Sequence, residues 1–370
     1  MNRDRHGSTE GRLSVYYTRC PVATATGIAL EKGFLDSLFA GTPYALCNVA
    51  ELGGDHVNAH YTHSIDRCFR EGGGSPPVWA RAGGADSRLL GITFMDETLG
   101  IFVRSADPAE SMLDLAGRRI GLPVRPGLIF NFWRFAAEKG FHSALKCHGM
   151  PATAVTVVDV VEGRDSAEDP ECHLAAGEPD LRRCNYRGQL QALLDGRIDA
   201  MFGKGLELAS LEREARGRIR LLFDVASSPD MIDRVNNSTP RLVTAGTRLV
   251  KEDREVVIRY LQGLLRASRW APQHASEARD IIARECAVEA SAIDRYLPAN
   301  YTTMLMPAIT AELLGAVEVL KSFLLRRGYL AGDFAVEDWV DPEPLLEAQL
   351  REHQGALETR HGPRTARPRH

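Results

Sequence analysis

Three residue types near the start of the chain could do chemistry: a cysteine, a histidine and an arginine followed by glycines. Cys20 lies in "VYYTRCPVATATGIALEKGFLD" (15–36). The β-branched and aromatic run over 14–18 predicts a strand, and Pro21 suits the first turn of a helix. Cys20 is thereby placed at the carboxyl end of a strand, where open α/β sheets form their sites. It is also placed at a helix N-terminus, where the macrodipole and free N–H groups favour thiolate. The competing reading is a buried inert cysteine. The chain has seven cysteines (Cys20, Cys47, Cys68, Cys147, Cys172, Cys184 and Cys286), odd in number, irregularly spaced and without a C-x-x-C pair. Free thiols in a reducing compartment are expected.

His60 is one of three close histidines, with His56 and His63, and Cys68 follows. Three readings compete: a solvated loop histidine, a metal cluster, or a partner that orients or deprotonates Cys20. The spacing H-x3-H-x2-H-x4-C matches no zinc pattern, so no metal is expected. Arg70 stands before Glu71 and the run Gly72–Gly74. A guanidinium fork suits a trigonal oxyanion, and glycines let backbone N–H groups approach it. The plain alternative is a surface arginine before a flexible loop, with Arg67 as a rival for the role. Trp79, Phe94, Phe130, Phe132 and Trp133 are candidates for apolar walls, although such residues more often fill a core.

The bulk properties narrow the field. The chain has 370 residues, 44% hydrophobic and 25% charged, which predicts an ordered protein of two domains or lobes. Net charge is −4, so no basic footprint argues for nucleic acid. Neither a dinucleotide fingerprint nor a phosphate-binding P-loop motif is present, so no nucleotide cofactor is expected. No window approaches about 18 uncharged apolar residues, so no membrane span is expected. "MNRDRHGSTEGRLSVYY" has no apolar run of the secretory type, and a cytoplasmic location is the expectation.

Behind the candidate residues, strands and helices alternate. Strands are predicted over 14–18 and 44–52, two within 88–104, and further ones in "DLAGRRIGLP", over 154–161, in "IDAMFG" and in "TPRLVTAGTRLV". Helices are predicted in "LIFNFWRFAAEKGF", "RGQLQALL", "REVVIRYLQGLLRASRWAPQH" and "AITAELLGAVEVLKSFLLRRGYL". Residues 55–77 read as helix or loop, and 163–185 as a polar surface insertion. The class is α/β, with the helix-rich C-terminal third packed back on the first lobe.

The order "EKGFLD", "LLGIT…GIFVR", "DLAGRRIGLP", "GQLQALLDGRIDAMF" resembles the type II periplasmic-binding-protein fold over roughly 14–345, in its sulfonate, taurine and thiamine-precursor branch. That resemblance implies two lobes with the ligand in the cleft between them. Lobe 1 would comprise 12–104 and 241–345, and lobe 2 105–240. Flexible tails are expected at 1–11 and 346–370, and a monomer by analogy. Within this fold, "CPV" at 20–22, "GFLD" at 33–36, "HYT" at 60–62, the Arg70–Gly73 segment, "RLLGIT" and "DLAGRRIG" resemble the aromatic sulfinate desulfinases. That family's Cys, His, Arg and glycine N–H fall on Cys20, His60, Arg70 and Gly73, with Gly72 and Trp133 as further substrate contacts. The resemblance implies hydrolytic cleavage of a carbon–sulfur bond in an aromatic sulfinate, with release of sulfite and no metal or organic cofactor. Cys20 would protonate the ring carbon or attack sulfur, and His60 would tune it and shuttle the proton. Two alternatives stay open: a non-catalytic sulfonate-binding protein feeding a transporter, and another cysteine-dependent enzyme on this fold. The likeness thins after residue 125, which leaves the aromatic framework of the substrate open.

Overall fold

The computed structural model describes residues 11–162 and 185–361. The predicted insertion at 163–185 therefore lies outside the described residues except for its last one, and Cys172 and Cys184 lie outside as well.

The first lobe is built on β1 (Leu13–Thr18), α1 (Ala25–Glu31), α2 (Phe34–Phe39), β2 (Tyr44–Asn48), α3 (Ala59–Thr62), β3 (Cys68–Gly73), α4 (Ser75–Ala82) and β4 (Ser87–Thr93). The chain then crosses to β5 (Leu99–Arg104), β6 (Arg119–Val124), α5 (Phe132–Cys147), β7 (Thr156–Val161), α6 (Arg187–Leu194), β8 (Met201–Lys204), α7 (Leu208–Ala215) and β9 (Ile219–Asp224). It returns through β10 (Arg241–Gly246). It finishes in α8 (Thr247–Glu252), α9 (Arg254–Trp270), α10 (Ala275–Glu285), α11 (Ala290–Tyr296), α12 (Ala311–Arg326), α13 (Val336–Trp339) and α14 (Glu343–His361). No helix among the described residues is long and apolar enough to cross a membrane.

The first sheet has the order β2-β1-β3-β10-β4, with β1 parallel to β2 and β3, and β10 antiparallel to β3 and β4. In the second lobe β5 sits between β8 and β9, and the parallel pair β6–β7 joins through a bridge between Ile120 and Ala200. The architecture is the expected two-lobed α/β fold. One boundary moves. β5, assigned from sequence to the first lobe, pairs along its length with β8 and β9. The crossover thus lies between Thr93 and Leu99, because the ladder partners of Leu99–Arg104 are all second-lobe strands.

α9 shows why the C-terminal third packs back. Val256, Val257, Tyr260, Leu261, Leu264 and Leu265 recur at helical spacing and are fully buried. Each such aliphatic side chain contributes about 1.5–3 kcal/mol by leaving water. Tyr260 stacks on Phe69 of β3 at 3.9 Å between ring centroids, tying this helix to the first sheet. The tail expected from residue 346 is largely α14 instead: Leu345 and Ala348 are buried, and Glu352 pairs with Arg266 at 2.9 Å. Other differences are local. The strand predicted over 44–52 stops at Asn48, whose side chain accepts from Ala50 N–H and opens a 3-10 turn. "IRLLFD" (219–224) forms β9, which was not anticipated.

Candidate active site

The most consequential difference is β3. "CFREGG" is polar and glycine-rich, yet all six residues are buried in the middle of the first sheet. Burying Arg70 and Glu71 in a central strand is costly unless each is hydrogen-bonded, and each is. Glu71 accepts from Thr26 N–H at 2.7 Å and from Ala25 N–H at 3.3 Å. Arg70 donates Nε–H to the His60 carbonyl at 2.8 Å and Nη2–H to the Gly73 carbonyl at 2.8 Å. Its Nη1 is buried and has no partner among the described residues.

The same contacts correct the reading of Cys20. The helix begins at Ala25 with Thr24 as its cap, and Pro21 lies outside it. The free N–H groups of its first turn are taken by Glu71 and by Thr24 Oγ1. The positive end of α1 therefore faces a carboxylate, and Cys20 stands four residues before the cap. Cys20 is partly exposed by surface area but enclosed by protein on most sides. Burial pushes its thiol above the ordinary value, while Arg70, the Gly73 N–H, Arg241 and Lys204 pull the other way. The expected lowering does not result, because desolvation outweighs these donors.

Gly72 and Gly73 earn their places by contact. A Cβ on Gly72 would lie 2.8 Å from both Cβ and Sγ of Cys20. One on Gly73 would lie 2.9 Å from the Asn237 carbonyl. At such distances a side chain at Gly72 must displace the Cys20 side chain, and one at Gly73 must displace the backbone at Asn237.

His60 comes from α3 and is 4% exposed. Arg70 Nη2 lies 3.2 Å from its Nε2, and Thr18 Oγ1 lies 2.9 Å from its Nδ1. Arginine can only donate, so Nε2 accepts and Nδ1 carries the proton toward Thr18. Burial, then Arg70 and His63, hold this imidazole neutral, well below its usual pKa. No hydrogen bond among the described residues joins it to Cys20. Its neighbours do not form a metal cluster. His56 is exposed, and His63 Nε2 pairs with Thr244 Oγ1 at 2.9 Å. No group of three or more candidate ligands converges among the described residues. Arg67, the rival of Arg70, pairs with Asp253 at 2.5 Å.

Cys20, His60, Arg70 and Gly73 line one cleft of about 490 Å³, counting the part open to solvent, and Trp133 lines it too. Of the five candidate wall residues, Phe132 and Trp133 face this cleft. Trp79, Phe94 and Phe130 pack instead in a separate apolar cluster with α12. Tyr61 stacks on Phe132 at 5.8 Å and completes the aromatic wall. Sequence reasoning missed the opposite side, where Lys204 reaches Ser238 Oγ and Glu207, each at 3.1 Å. Asn237 and Ser238 come from the crossing before β10. These positions carried no local signal, since Lys204 ends a short strand and Ser238 sits in an unremarkable polar run.

Comparison with known proteins returns consistent likenesses. No family model matches the chain. It is 28% identical over 365 residues to 2'-hydroxybiphenyl-2-sulfinate desulfinase of Rhodococcus erythropolis, covering 93% of this chain and 95% of that protein. The structure superposes on a Cys-to-Ser variant of the desulfurization enzyme DszB in complex with biphenyl-2-sulfinic acid. There the TM-score is 0.73, with 26% identity and coverage of 92% and 99% of the two chains. A sulfonate-binding protein, SsuA of Methylobacillus flagellatus, matches with TM-score 0.67 and 18% identity over 93% and 96% of the chains, a likeness of fold. The fold is thus the periplasmic-binding-protein type.

Proposed function

We propose that this protein is a desulfinase that cleaves the carbon–sulfur bond of an aromatic sulfinate and releases sulfite. The observation that carries the reading is the buried, unpartnered Nη1 of Arg70 in the cleft that also holds Cys20. A sulfinate oxygen supplies the missing acceptor, and the ring lies against Tyr61, Phe132 and Trp133. The likeness to the Rhodococcus desulfinase over nearly the whole chain supports the same substrate class.

In this reading Cys20 is the proton donor. Burial keeps its thiol protonated at rest. The thiol proton passes to the ring carbon that bears sulfur, forming a C–H bond. The C–S bond breaks, its electron pair returns to the ring, and sulfur dioxide departs. Arg70, Lys204, Arg241 and the Gly73 N–H steady the thiolate left behind, being the groups that already pull its pKa down. Water adds to sulfur dioxide to give bisulfite and a proton, and the proton restores the thiol. The sum is sulfinate plus water to arene plus bisulfite, a hydrolysis that balances without a metal or organic cofactor. His60 acts as a positioning residue that holds Arg70 in place. Residues 13–93 with 241–345 form the lobe carrying Cys20, His60 and Arg70, and 99–224 form the lobe carrying Trp133 and Lys204. A reducing compartment such as the cytoplasm suits the free thiols.

The test is sulfite release from a panel of aryl sulfinates, with wild type beside Cys20→Ser. Sulfite from wild type alone is expected. Sulfite from neither, with saturable binding of sulfonates, would turn the reading to a binding protein.

A further inference from the structure

A second cavity, of about 700 Å³ with its open part included, lies between α5 of the second lobe and α12 of the first. At its wall is Lys139, a lysine only 3% exposed. Its Nζ donates to Ser143 Oγ, one turn on, at 2.6 Å, and forms no ion pair among the described residues. Beyond that bond it lies over the Phe323 ring at 5.8 Å; an ammonium has three donors, so one hydroxyl and a ring face leave this buried charge without a counter-charge. The two acids at the cavity are committed elsewhere. Asp233 accepts from Lys146 at 2.6 Å and Ser228 at 3.2 Å, and Glu318 pairs with Lys321 at 3.1 Å and Ser322 at 2.8 Å. Arg326, exposed at the end of α12, lines the same cavity and has no ion-pair partner among the described residues. Two cations without counter-charges thus face one opening, beside the apolar Phe323 and Val319.

We infer that this cavity is a second binding site, distinct from the Cys20 cleft, for a small molecule carrying a phosphate group. The phosphate meets Lys139, Ser143 and Arg326, and an organic remainder lies along Phe323 and Val319. The lysine's ionisation is consistent with a site that an anion would stabilise: burial lowers its pKa to about 8, Asp233 opposes the lowering, and Lys146 adds to it. His142, also at the cavity, is held neutral by burial and by Lys139, Arg327, Arg326 and Lys146.

Calorimetric titration of the full chain with inorganic phosphate and with phenyl phosphate tests this. One ligand per chain is expected, with affinity falling at least ~10-fold in Lys139→Met and in Arg326→Ala, and unchanged when an aryl sulfonate fills the Cys20 cleft. Tighter binding of phenyl phosphate would mark a phosphorylated organic ligand, and equal affinity free phosphate; both support the site if the variants lose them. Arg326 is exposed, so its variant reports even if Lys139→Met folds poorly. No binding by wild type up to ~10 mM of either compound, or variants that bind as wild type does, would overturn the inference.

Discussion

The Arg70 guanidinium grips His60 twice, at its carbonyl oxygen (2.8 Å) and at ring Nε2 (3.2 Å). The histidine thereby aims the arginine rather than addressing the thiol. Its neutral ring is the acceptor that leaves Arg70 Nη1 as the free prong. A glutamine at this position can place an acceptor near Nε2, whereas alanine cannot. His60→Gln should therefore retain about a tenth or more of kcat/KM, and His60→Ala should lose about 100-fold, mostly through KM. A histidine acting as proton shuttle predicts equal collapse of kcat in both and a histidine limb in the wild-type pH profile. Steady-state kinetics across pH separates the two.

Gly72 touches the thiol so closely that a Cβ there must push Cys20 aside. Gly72→Ala should displace Cys20 and lower sulfite release more than ~100-fold, with Arg70 and His60 intact. Overpacking of this kind costs about 1–3 kcal/mol, so the variant should still fold. Activity beside a thermal melt checks both halves. An active Gly72→Ala enzyme would mean that the thiol need not occupy this position.

The thiol state has a pH signature. Burial raises the Cys20 pKa, so with no sulfinate added alkylation by iodoacetamide should accelerate only above the ordinary cysteine range. A rate already at its plateau at pH 7 would identify a resting thiolate and favour attack on sulfur over proton donation.

Acid should weaken the fold through a neighbour of the site. Burial, with Arg70 adding, holds His63 at about 3 in the folded chain. The unfolded chain takes up this proton below the ordinary histidine value, so stability is full above about 6.5 and declines as pH falls toward 3. The loss at pH 5 should be about 1–2 kcal/mol. His63→Asn, which cannot titrate, should show a shallower fall in denaturant midpoint between pH 7 and pH 5. An unchanged slope would exclude His63 as its source.

Glu71 is read here as the cap of α1. Glu71→Gln turns one of the two acceptor oxygens, each of which faces one N–H, into a donor, and should cost about 1–3 kcal/mol of stability. Sulfite release per folded molecule should stay within about threefold of wild type. A large loss of turnover without loss of stability would give Glu71 a chemical role instead.

Much of the architecture was legible without coordinates, because alternation and helical spacing are local. The apolar period of α9 and the strands β4, β6 and β7 follow from residue order alone, and the motif order pointed to the two-lobed fold. That Cys20, His60 and Arg70 lie together in one cleft was legible by resemblance. What only the tertiary structure decided was partnership. "CFREGG" reads as helix or loop because buried charge is penalised in isolation, and only the contacts of Glu71 with α1 and of Arg70 with His60 make it a central strand. The N-terminus of α1 promised a thiolate until Glu71, from another strand, took its N–H groups. Lys204 and Ser238 reach the cleft from distant segments, and no local pattern encodes a meeting across a hundred or more residues. Periodicity is a property of neighbours in sequence, whereas compensation of buried charge is a property of neighbours in space.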